Sequence, residues 1–141
     1  MEKLVIKWQR LVEENKTCPR CGDTEKELER AFLKLKDAFA LLNIEVILEK
    51  IQLSKEDFKR NPLSSNQIWI NNKPLEFWIN AGIGNSRCCD VCGDENCRTI
   101  ELSGKSYETV PENLIIKASI LALADMIKNR LIHIPKNNLN T

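Results

Sequence analysis

Histidine is nearly absent from this sequence: His133, close to the C-terminus, is the only one. A Cys–His catalytic pair or a mixed Cys/His zinc site would need that residue to fold back, and neither is expected. An excess of one charge is also lacking. The 21 lysines and arginines are interspersed with 20 acidic residues, for a net charge of +1. That pattern excludes a nucleic-acid stripe and a polybasic membrane anchor. No apolar run is long enough to span a membrane. The opening "MEKLVIKWQR" has neither the apolar stretch nor the small-residue cleavage site of a signal peptide. The expected location is therefore cytoplasmic, which means reducing. No glycine loop of the phosphate-cradling kind is present, so nucleotide binding has no motif behind it. The carboxylates show no arrangement that points to acid–base work.

Cysteine, by contrast, is plentiful and clustered. "TCPRCGDT" holds Cys18 and Cys21, and "CCDVCGDENC" holds Cys88, Cys89, Cys92 and Cys97. Six cysteines in two short segments of a reducing compartment read as metal-binding or redox-active, not as a secreted disulfide framework.

With 141 residues the chain is long enough for one domain with its own core. Its expected span is 1–135, with a cysteine-rich loop over about 80–98 and a frayed tail over 136–141. Residues 3–12 are rich in β-branched and aromatic types and read as a strand. Thr24 and Glu27 have the spacing of a capping box. They open an amphipathic helix with Leu28, Phe32, Leu35, Phe39 and Leu42 on one face, stopped at Asn43. Residues 44–53 form a second strand. Residues 54–63 read as a short helix or turn, capped by Ser54 and ended by Pro62. "QIWINNKPLEFWI" holds a third strand ending at the turn pair Asn71-Asn72. Residues 80–97 read as loop, and 98–110 as a hairpin turning at Ser103-Gly104. Pro111 suits the first turn of a last helix. Its expected stripe is Ile116, Ile120, Leu123, Ile127 and Leu131, with further apolar surface around it. A helix that apolar is buried or helps form a homodimer. Trp8, Trp69 and Trp78 fall in or beside strands and are expected to pack in the core.

This order predicts an α/β fold with a central mixed sheet, flanking helices and the cysteine-rich loop as an insertion. A CxxC between the first strand and the first helix of such a unit reads as a thioredoxin-like motif. Cys18 would be the nucleophile and the more exposed of the pair, and Cys21 would resolve the mixed disulfide. Lys16 and Arg20 add positive field. One feature opposes this reading. With Thr24 as the cap, the helix starts three residues after Cys21, and helix-terminus stabilisation fades within about one turn. "CPRCG" is equally the style of a zinc knuckle.

The second cluster keeps metal binding open. Four thiolates satisfy tetrahedral zinc. A local site over 88–97 is awkward because Cys88 and Cys89 are adjacent. Cys18, Cys21, Cys89 and Cys92 make the other set. The gaps match no standard iron–sulfur run. A vicinal pair with nearby thiols also suits a thiophilic metal or metalloid such as arsenite, mercury or copper(I). Arg87, Arg98, Asp90, Asp94 and Glu95 read as solvated loop charges.

"WQRLVEENKTCPRCGDT", "IWINNKPLE", "CCDVCGDENCRT" and "YETVPENLIIKA" together resemble the prokaryotic family called domain of unknown function 2703. The resemblance covers nearly the whole chain. It implies a thioredoxin-like fold and no established activity. The wider thioredoxin group usually carries a cis-proline before the third strand, facing the CxxC. Here that stretch is "SSNQIWI", with Asn66 near the place and Pro62 earlier.

Three functions stand open. One is thiolate binding of a thiophilic metal or metalloid through Cys18, Cys21, Cys88, Cys89, Cys92 and Cys97. The second is thiol–disulfide exchange at Cys18–Cys21 with a protein or thiol partner, the later cysteines relaying electrons. The third is a structural zinc module that binds through another surface.

Overall fold

The structure, a computed structural model, describes residues 1–12, 18–87 and 96–132. The expectations for Lys16, Cys88, Cys89, Asp90, Cys92, Asp94, Glu95, His133 and the 136–141 tail fall outside the described residues.

The first strand, β1 (Glu2–Leu11), buries Leu4, Ile6, Trp8 and Leu11. Its parallel neighbour β2 (Ile44–Leu53) pairs with it from Glu2↔Ile44 to Leu11↔Leu53. Parallel strands need a crossover, and α1 (Pro19–Ala40) supplies it. On the other side of β1, β3 (Gln67–Ile70) runs antiparallel, with Ile6 opposite Ile70. The short β4 (Lys73–Pro74) returns through Asn71 and Asn72, whose φ angles of 48° and 67° make the expected tight turn. The sheet order is β2-β1-β3-β4, so the sheet is mixed, as expected.

The start of α1 differs from expectation. The helix begins at Pro19, with Cys18 as its N-cap in extended conformation. Thr24 caps nothing; it is fully buried inside the helix, and its Oγ1 accepts from Val110 N–H at 3.1 Å. The capping-box spacing is real, but a tertiary donor claims the threonine, and proline is pre-organised for the first helical position. Leu28, Leu35 and Phe39 face the core as expected, joined by Cys21, Thr24 and Ala31. Leu42 is exposed, because the helix ends at Ala40 and Asn43 closes the turn with a φ of 60°.

Next, α2 (Lys55–Arg60) is capped by Ser54, whose Oγ accepts from Asp57 N–H at 3.1 Å. A 3-10 turn over Pro62–Ser64 leads into β3. Residues without an expected element, Leu75–Ile79, form α3, where Trp78 Nε1 donates to Ile70 O at 2.9 Å.

The loop expected over 80–98 is shorter than that. β5 (Gly82–Arg87) and β6 (Asn96–Leu102) pair as antiparallel strands, and β7 (Lys105–Tyr107) adds a third. Glycines suggested loop here, yet Gly84 sits in a strand because of close packing. A Cβ there would stand 2.8 Å from Thr99 Oγ1. The hairpin does turn at Ser103-Gly104, with φ angles of 52° and 79°.

The last helix, α4 (Glu112–Ile132), packs on α1 and α3. Its buried face is Leu114, Ile115, Ala118, Ser119, Ala122 and Leu123. That corrects the expected stripe, since Ile120, Ile127 and Leu131 are exposed. A helix this apolar offers several stripes. The one with small residues lets the helices approach closely, and it faces inward. Among the described residues no helix is long and apolar enough to cross a membrane.

Candidate functional site

Cys18 ends the segment that leaves β1, and Cys21 lies in the first turn of α1. The Cys18 carbonyl accepts from Gly22 N–H at 2.8 Å, closing the first turn of the helix around the motif. Both residues are thiols. The objection drawn from a late helix start therefore falls. The expected difference in exposure also fails, because each residue is 2% exposed.

The two sulfurs have different surroundings. Cys21 Sγ lies 3.8 Å from Ser65 Oγ, which is buried and also accepts from Leu11 N–H at 2.9 Å. Cys18 lines a cleft of about 390 Å³ with Pro19, Arg20, Asp23, Arg87, Glu108 and Thr109. A larger cleft of about 420 Å³, between α1 and β2, includes no cysteine and has no chemistry-bearing cluster.

Arg20, between the two cysteines, is 9% exposed and acts as a clamp. Its Nη2 donates to Ser86 Oγ at 2.6 Å and to Arg87 O at 3.3 Å, and it pairs with Glu108 Oε2 at 3.3 Å. Its Nη1 is buried with no hydrogen-bond partner among the described residues. The clamp ties the start of α1 to the end of β5. Glu108 meets part of the positive field expected from Arg20.

Ser65 and Asn66 hold the place before β3. No peptide bond among the described residues is cis, and Asn66 has a φ of 63°. Its side chain accepts from Trp8 Nε1 at 3.0 Å and donates to Glu108 O at 3.3 Å. Asn66 thus locks the central strand to the loop before α4.

Of the second cluster, only Cys97 is described. It is 1% exposed, sits in β6 opposite Ser86, and is disulfide-bonded. A disulfide sulfur is not a thiolate ligand, so a metal set that includes Cys97 requires the reduced chain. Cys18, Cys21 and Cys97 belong to one contiguous buried core. Among the described residues, no three His, Cys, Asp or Glu side chains converge as a metal group.

Arg98 is not the solvated loop charge it was expected to be. It is 5% exposed, with Nε 3.2 Å from Glu76 Oε1 and Nη1 donating to Leu63 O at 2.6 Å. Arg87 is exposed, as expected. Sequence reasoning flagged Arg20 and Asn66 but missed Ser65, Ser86, Glu108 and Glu76. These residues join segments far apart in the chain, and no local spacing marks them.

A match to the family described as domain of unknown function (DUF2703) extends over residues 4–119. The chain belongs to that family. A protein of Archaeoglobus fulgidus, described as uncharacterized, is 44% identical over 113 residues, covering 80% of this chain and 82% of that one. No solved structure matches the chain. In this DUF2703 chain the matched region takes in both cysteine segments, β1 from Leu4, β2 to β7 and the start of α4 through Ser119.

Proposed function

We propose that this protein is a thiol–disulfide oxidoreductase of thioredoxin-like architecture, with Cys18–Cys21 as its dithiol. The observation that carries the reading is the position of the pair. It sits at the N-terminus of the crossover helix between two parallel strands, in a sheet of order β2-β1-β3-β4. Helix N-termini present N–H groups without intrahelical partners and a partial positive charge. Both favour a thiolate, the reactive form of cysteine. Cys18 lines the cleft and is the attacking sulfur; Cys21, turned toward Ser65, resolves.

The step balances without a further reagent. Cys18 thiolate attacks a partner disulfide, forms a mixed disulfide and releases one partner thiolate. Cys21 then attacks Cys18, releasing the second. Two electrons pass to the partner, and a Cys18–Cys21 disulfide remains. The test is disulfide reduction with insulin as substrate. Cys18→Ser abolishes turnover while leaving the melting temperature close to that of the parent. Unchanged activity in that variant would refute the reading.

A second reading is binding of zinc or another thiophilic metal or metalloid by the clustered thiols. The shielding of Cys18 and Cys21, each 2% exposed, favours it, because sealed sulfurs suit a bound soft ion. Metal content of anaerobically purified protein separates the two. Tightly held zinc at one per chain favours the site; metal-free protein with rapid insulin reduction favours exchange. The exposed row Ile120, Ile127 and Leu131 on α4 is the surface a homodimer through the last helix would bury. Sedimentation reads that state directly.

A further inference from the structure

Two short routes join the CxxC to Cys97. Along the first, Arg20 binds Ser86 Oγ at 2.6 Å, and Ser86 stands directly opposite Cys97 in the β5–β6 pairing. Residues opposite each other in an antiparallel pair have Cα atoms roughly 4.5–5.5 Å apart. Along the second, Cys21 Sγ meets Ser65 Oγ at 3.8 Å, and the turn just before Ser65 presents the Leu63 carbonyl to Arg98 at 2.6 Å. Arg98 is the neighbour of Cys97 in the chain. Both routes consist of buried or half-buried groups, and all three cysteines lie in one core. The dithiol and the disulfide are thus held at the two ends of a fixed polar bridge.

We propose that Cys97 is a second redox centre that exchanges internally with Cys18–Cys21. The proposal rests on the dithiol reading above and names the partner of that dithiol within the same chain. Cys18 thiolate attacks Cys97 Sγ. The disulfide of Cys97 breaks, its former partner leaves as a thiolate, and a Cys18–Cys97 bond forms. Cys21 then attacks Cys18, which returns Cys97 as a thiolate. One disulfide is lost at Cys97 and one gained at Cys18–Cys21, so two electrons move and no outside reagent is consumed.

The sequence makes the test readable. Trypsin places Cys18 in peptide 17–20, Cys21 in peptide 21–26, and the whole second cluster in peptide 88–98. Full-length Cys21→Ser, purified in air without added thiol, lacks the resolving sulfur and should accumulate the intermediate. Acid quench, alkylation and digestion are expected to show peptide 17–20 disulfide-linked to 88–98, with a yield independent of protein concentration. The link should vanish in Cys21→Ser/Cys97→Ser. Persistence there overturns the assignment to Cys97. A parent chain that forms the 17–20 to 21–26 disulfide, while Cys21→Ser shows no link to 88–98, overturns the relay and leaves the dithiol standing. A parent chain that forms neither link overturns both. Near-ultraviolet circular dichroism on each variant separates lost folding from lost exchange.

Discussion

The Cys21 sulfur and the Ser65 hydroxyl meet 3.8 Å apart across 44 residues of sequence, and the same hydroxyl accepts the Leu11 N–H at 2.9 Å. One small buried side chain therefore touches the inner thiol and the end of the central strand. Ser65→Ala is expected to cost about 1 kcal/mol from the lost bond to Leu11. It should also alter the alkylation rate of Cys21 in the native protein. Urea unfolding and timed alkylation read the two effects separately. Parent-like values in both would remove Ser65 from the site.

Asn66 stands where a proline is expected from the thioredoxin resemblance, and its φ of 63° decides what it tolerates. Proline fixes φ near −65°. Asn66→Pro should therefore fail to fold rather than improve exchange. Asn66→Gly keeps the backbone and loses the bond to the Trp8 indole, at about 1–3 kcal/mol. Soluble expression and thermal melting compare the two. A folded, more active Asn66→Pro would contradict this account.

Arg98 and Glu76 form a buried ion pair at 3.2 Å, each 5% exposed. Truncating one partner strands the other. Glu76→Ala should destabilise by about 3–5 kcal/mol. Glu76→Ala combined with Arg98→Met should recover part of that loss, less the bond to the Leu63 carbonyl. Denaturant midpoints of the single and double variants give the coupling.

Two surface groups give opposite responses to pH. Hydrogen bonds from Thr99 and then Ser106 hold the Glu101 carboxyl below its ordinary value. Its contribution is present above the unfolded carboxyl value and lost as pH falls through the lowered folded one. Burial works to lower Lys50, but bonds to Glu29 and Glu25 outweigh it and leave the ammonium raised. That contribution is present below the ordinary lysine value and lost as pH rises through the raised one. Glu101→Gln should flatten the acid limb of stability, and Lys50→Met the alkaline limb. Melting temperature against pH checks both.

Gly84 is close-packed rather than turn-forming. A Cβ would collide with Glu101 Oε1 and stand 2.8 Å from Thr99 Oγ1. Gly84→Ala should push the Glu101 carboxylate away from Thr99 and return its titration toward the ordinary range. Carboxyl chemical shifts followed by NMR read the change. An unmoved titration would mean that the hairpin absorbs the methyl group elsewhere.

The sequence by itself determined what local pattern and spacing control. Alternating β-branched runs placed β1, β2 and β3, the Asn71-Asn72 and Ser103-Gly104 pairs placed the turns, and Ser54 placed a cap. The cysteine spacing singled out Cys18 and Cys21 as a candidate site. Tertiary structure decided what depends on partners remote in the chain. Val110 took Thr24 away from capping, so α1 starts at Pro19 and gathers the CxxC into its first turn. Packing against α1 and α3 chose the small-residue face of α4 over its larger apolar stripe. The Arg20–Ser86 bond, 66 residues apart, tied the start of α1 to the strand that faces Cys97. Local propensity follows from each residue's own sterics and caps, whereas these contacts exist only once the chain has closed on itself and burial has forced every polar group to find a partner.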